Sequence, residues 1–130
     1  MRTRLHKFRE KSDGTVSVEF AIWTPFMMFI LIAAIDFSIL FMTQSHYWGV
    51  ARDTARLVAR HAMDTPDAQA YAVARAGSYF GSPIAEITIR AETVSVSLKA
   101  PANSVLLFDA FGFADDLDVT AAITQSLEPI

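Results

Sequence analysis

Asp13-Gly14-Thr15-Val16-Ser17-Val18-Glu19-Phe20, followed without a break by an apolar run from Phe20 to Met42, is the stretch on which the reading of this chain turns. As a straight helix the run would span roughly 35 Å at about 1.5 Å per residue, enough for a bilayer core of about 30 Å. A secretory signal has an apolar region of about 7 to 15 residues with a small-residue cleavage site behind it. This run is longer and continues into amphipathic helix, so it reads as a retained anchor. A glycine at the water-facing edge, a carboxylate shortly after it and a membrane helix behind both point to a processed, membrane-held subunit rather than a soluble enzyme.

Working outward, 130 residues leave room for one small domain besides this segment. The hydrophobic fraction of 52% is inflated by the apolar run and does not signify a large soluble core. The net charge of −3 hides an asymmetry. Arg2, Arg4, Lys7, Arg9 and Lys11 crowd the residues before Phe20, whereas acids outnumber bases after Thr43. The basic end is expected to stay in the cytoplasm and the acidic end to be exported. Cysteine is absent, which excludes disulfides, thiol catalysis and cysteine-ligated metals.

The basic leader ending in Gly14, then Thr15-Val16-Ser17-Val18-Glu19-Phe20, then Ala21-Ile22-Trp23-Thr24-Pro25 and a Phe/Met/Leu/Ile-rich span, resembles the N-terminus of TadE-like proteins. These are pseudopilins or minor pilins of the tight-adherence (Tad/Flp) branch of type IV pili. The resemblance is specific across residues 11 to 42 and beyond residue 62 is one of layout only. It implies that an aspartic prepilin peptidase cuts after Gly14, leaving Thr15 as the new N-terminus, Glu19 as the conspicuous carboxylate and Phe20 as its aromatic neighbour. The expected division is a leader over 1–14, a transmembrane helix over 15–43 and an exported α+β domain over 44–130. The chain lacks the cysteine pair that some relatives carry.

Each residue of the junction also has a plainer reading. Gly14 allows close approach of a protease to the backbone, but Ser12-Asp13-Gly14 is equally good turn chemistry before a helix. Glu19, costly to bury alone, pairs with the amine that cleavage would free on Thr15, or else caps the helix where the macrodipole favours an acid. Pro25 lies too deep for the first turn, predicting a bend or a melted turn near Ala21 with or without a role in assembly. Asp36, an acid far into the span, faces a partner or water, or snorkels to the exported side of a shallow helix. Ala33, Ala34 and Ser38 beside it permit close helix approach.

Past Thr43 the spacing of Trp48, Ala51, Ala55, Val58 and Ala62 predicts a continuing helix with one apolar stripe. Arg52, Arg56 and Arg60 lie opposite, either as a solvated face or as a contact for an acidic neighbouring subunit, with Asp53 and Asp64 as local ion-pair partners. A second helix is expected from Thr65-Pro66-Asp67 to about Phe80. Alternation at Ile87/Ile89 and at Val94/Val96/Leu98 predicts a hairpin, and Val119, Ala121 and Ile123 a third strand from about Leu117 to Gln125. The result is a small antiparallel sheet covered by helix. The apolar connection containing Phe108, Phe111 and Phe113 reads as a lid over the sheet or as an exposed patch for a partner subunit or the membrane surface.

There is no phosphate-binding glycine loop, nucleophile elbow or two-histidine metal motif. His61 and Asp64 alone make a weak metal site. The expectation is a structural protein with no enzyme activity, no cofactor, no small-molecule substrate and no nucleic-acid partner. It would sit in a bacterial inner membrane with its C-terminal domain in the periplasm, or enter a surface pilus. Its expected partners are the prepilin peptidase, other pilins or pseudopilins and pilus-assembly membrane proteins. The alternatives are an unprocessed single-span protein with an exported binding domain, and an adhesin at a pilus tip.

Overall fold

The structure, a computed structural model, describes residues 13–77 and 81–129. Nearly all of the basic leader, and the last residues of the expected second helix, lie outside the described residues. Helix α1 runs unbroken over Asp13–Ala59, 47 residues, or about 70 Å. Pro25 lies inside it and the helix continues across that position, so the melted turn is not formed. Thr24 Oγ1 donates to the Phe20 carbonyl at 2.7 Å, beside the place where proline removes a donor.

Helix α1 stops short of Ala62. His61 adopts φ 56°, Ala62 N–H reaches back to the Leu57 carbonyl at 3.0 Å and His61 N–H to Val58 at 3.0 Å. This is the Schellman closure, made here on a histidine rather than the usual glycine. The sequence therefore carried no glycine signal for the stop. Beyond the stop, Asp64 is no longer one helical turn from Arg60, and Arg60 pairs with Glu128 at 3.4 Å instead.

Helix α2 covers Thr65–Ala76, with Asp64 rather than Thr65 as N-cap and Gly77 closing the C-terminus through its N–H to the Val73 carbonyl. Strands β1 (Ile84–Arg90), β2 (Thr93–Pro101) and β3 (Asp118–Ser126) form an antiparallel sheet in the order β1-β2-β3. Ile87, Val96 and Ile123 lie in one row across it, and Leu98 and Ala121 in the next. The fold is α+β, with a long apolar helix, a second helix and a small sheet.

The core is a three-way junction. Helix α1 contributes Tyr47, Val50, Ala51, Ala55, Val58 and Ala59, α2 contributes Ala68, Ala72 and Ala76, and β2 contributes Val94, Val96, Leu98 and Ala100. The alanines, spaced at one turn on both helices, let the backbones approach closely. Two of the five expected stripe residues fall outside it: Trp48 and Ala62 are exposed. Ile89, at the hairpin end of edge strand β1, is also exposed. Gln44 Nε2 donates to the Thr120 carbonyl at one end of β3, and Glu128 N–H donates to Ala59 at the other. Strand β3 thus runs in the same direction as α1 along the far half of the helix.

Candidate functional site

From Gly14 to Leu31 every α1 residue is exposed. Gly14 is helical, and an added Cβ there would meet nothing within 4 Å. Gly14 stands at the start of α1, as its plainer reading as a helix-start glycine has it, and Ser12 lies outside the described residues. Thr15, Glu19 and Phe20 stand open on the same stretch. By length and composition α1 is a helix able to cross a membrane, the one such helix among the described residues.

Burial begins one turn deeper and is built around Asp36. Its side chain is 4% exposed despite its place in the apolar run. Oδ1 accepts the Phe108 N–H at 3.1 Å and Oδ2 accepts the Ala110 N–H at 3.1 Å. A carboxylate met by two backbone donors is a charge-assisted pair of bonds, which offsets its desolvation. The donors come from the connection between β2 and β3, 72 and 74 residues away in sequence. Asp36 thus finds its partner within its own chain.

Only the start of the connection packs into the core against the sheet. A 3-10 turn over Ala102–Ser104 leads into Val105, which joins the core, and the chain then turns toward α1. Phe111 sits edge-on to Phe29 at 5.3 Å between ring centroids, tilted against Phe37 at 5.8 Å and stacked on Phe113 at 5.8 Å. Asp109, at φ 48°, folds its own carboxylate back onto the amides of Phe113 (3.1 Å) and Ala114 (3.2 Å), and its carbonyl takes the Gly112 N–H at 3.0 Å. Leu107, Phe108 and Phe111 remain 57%, 53% and 51% exposed.

The structure thus brings together Asp36 and the connection holding Phe108, Phe111 and Phe113, which the sequence presents as two separate features. Gly14, Thr15, Glu19, Phe20 and Pro25 lie nearer the other end of α1, while Arg52 and Arg56 are exposed on its far half and Arg60 is exposed just past its end. Sequence reading missed Phe29, Phe37 and Asp109. Only the unusual acid in the span and the unusual aromatics in the connection hinted at a mutual solution.

Elsewhere the surface is shallow. A groove between the helices is lined by Met42, His46, Gly49, Asp53 and Arg75, with His46 Nε2 3.0 Å from the Arg75 carbonyl. Among the described residues no group of three His, Asp or Glu side chains is placed to hold a metal. Burial pushes the Tyr47 hydroxyl above its ordinary pKa of 10.0.

Fold and geometry define a class: an α+β unit carried on one long apolar helix of membrane-spanning length. Residues 14–56 match the family model described as TadE-like protein. The resemblance read from the junction is therefore shown for α1, while α2 and the sheet lie outside the matched residues. No curated protein and no solved structure matches the chain.

Proposed function

We propose that this chain is a minor pilin or pseudopilin, a structural subunit for biogenesis of a Tad-type pilus, cut after Gly14 by a prepilin peptidase. The TadE-like match over α1 points to a Tad pilus-related protein. The observation that supports the finer reading is the environment of Gly14. Gly14 is the second residue of α1, stands exposed, and an added Cβ there would meet nothing within 4 Å among the described residues. An open backbone without a side chain at the start of the apolar helix suits a segment that an enzyme must grip.

After cleavage the cationic Thr15 amine would lie one helical turn from Glu19, available to pair with it in the same chain or in an assembled neighbour. The open face from Gly14 to Leu31 is where other pilins or pseudopilins would pack, and the exposed row Arg52, Arg56 and Arg60 offers a second contact for an acidic subunit. The protein would act without catalysis of its own, anchored in the inner membrane with the α+β unit in the periplasm.

N-terminal sequencing and intact mass of membrane-extracted protein, with and without a co-expressed Tad-type prepilin peptidase, test this reading. A peptidase-dependent terminus at Thr15 that disappears in Gly14→Asp is the expected result. An intact terminus in the presence of active peptidase would overturn it and leave an unprocessed single-span protein.

A further inference from the structure

We infer that the connection from Leu107 to Phe113 is a membrane-seated loop, whose partner is the lipid surface on the side of the bilayer that carries the folded unit. The inference rests on the reading that α1 spans the membrane, and adds where the bilayer ends and what meets it there.

Position comes first. Measured along the helix at about 1.5 Å per residue, Phe29 lies roughly 14 Å and Phe37 roughly 26 Å from Phe20, where the apolar run begins. A hydrocarbon core of about 30 Å that begins there therefore ends about one turn past the second of these two rings. Phe111 packs on both of them. A loop held there cannot avoid the headgroup and acyl boundary.

Chemistry comes second. Irregular backbone is tolerated at membrane depth only where its polar groups are satisfied by protein. The Phe108 and Ala110 amides are taken by Asp36, the Phe113 and Ala114 amides by the Asp109 carboxylate, and the Gly112 amide by the Asp109 carbonyl. Four amides are thus turned onto two carboxylates and a fifth onto a carbonyl, while the side chains of Leu107, Phe108 and Phe111 are left exposed. Phe111 packs on exposed Phe37, and exposed Phe41 lies one turn further along the same side of the helix. Asp115 and Asp116, also exposed, follow directly on the sheet side of the loop. Seating by apolar side chains rather than by charge is therefore expected, on zwitterionic lipid and with little dependence on salt.

The chain has no cysteine, so single labels can be placed at will. The full chain, reconstituted in phosphatidylcholine vesicles at low protein density, would carry a nitroxide on Leu107→Cys, Phe108→Cys, Phe26→Cys or Glu92→Cys in separate preparations. Collision with oxygen and with a water-soluble nickel chelate reads the depth of each label. Labels at 107 and 108 are expected about 5–10 Å below the phosphates, that at 26 deeper and that at 92 in water. A label at 26 in lipid with labels at 107 and 108 as accessible to nickel as that at 92 would overturn the loop inference and leave the span intact. A label at 26 in water would overturn the span and the inference with it. Protection of 107 and 108 that vanishes on dilution in lipid, with spin–spin broadening at high density, would overturn it in favour of a contact between two copies.

Discussion

At Asp36 one carboxylate settles a problem that neither of its neighbourhoods solves alone: an acid in an apolar helix and two amides in an apolar loop. Asp36→Ala should leave the Phe108 and Ala110 amides unpaired at a cost of about 1–3 kcal/mol, read as faster hydrogen exchange at those two amides with the sheet amides unchanged. Gly81 presents the opposite case, a residue that the fold itself requires. Its φ is 89°, and an added Cβ would lie 3.0 Å from both the Tyr47 hydroxyl and Val105 Cγ2. Gly81→Ala should destabilise the domain by about 1–3 kcal/mol in thermal or denaturant unfolding, whereas Gly14→Ala should not lower stability. Tyr47 adds a pH dependence. Because burial raises its hydroxyl above 10.0, the unfolded chain loses that proton first, so its contribution is complete below pH 10 and lost as pH rises through the folded-state value. An alkaline melting series should show this loss in the native chain and not in Tyr47→Phe.

Among the elements, those with a strong repeat were legible and those ended by geometry were not. Val94, Val96 and Leu98 alternate with polar residues and form β2, with every one of the three buried. Val119 and Ala121 do the same for β3. The end of α1 was misplaced because its left-handed residue is His61, and histidine carries no stop signal comparable to glycine. Trp48 was assigned to the stripe on spacing, yet the buried face at that level is occupied by Tyr47 and Val50. Ala51, Ala55 and Val58 keep the expected phase and are buried, and which residue extends the stripe past them is what tertiary contact decides and periodicity leaves open. The Asp36 contact was illegible for a different reason: it joins residues more than 70 apart, and no local pattern encodes such a pair. The alanine seam between the helices makes its own prediction. Ala55→Leu, at a site with no exposed surface, should overpack the junction and lower stability by about 1–3 kcal/mol in a cooperative melt.

For the whole molecule, surface charge is separable from the fold. Arg52 and Arg56 are exposed and make none of the ion pairs found among the described residues, so Arg52→Glu with Arg56→Glu should change stability by no more than about 0.5 kcal/mol each. If that pair of changes abolishes co-purification with the pilins of a Tad system while the melt is unchanged, the arginine row is a docking surface. Unchanged co-purification would mark it as a solvated face. One last consequence follows from the direction of β3. The strand lies alongside the far half of α1, and just behind its end the Glu128 amide is fastened to Ala59 and its carboxylate to Arg60. Tension that entered at the N-terminal end of the helix and left through the C-terminus would pull β3 lengthwise against its nine-residue pairing with β2, in shear. Rows of hydrogen bonds loaded in shear yield together rather than one at a time, so a chain built this way resists stretching along the axis of its long helix.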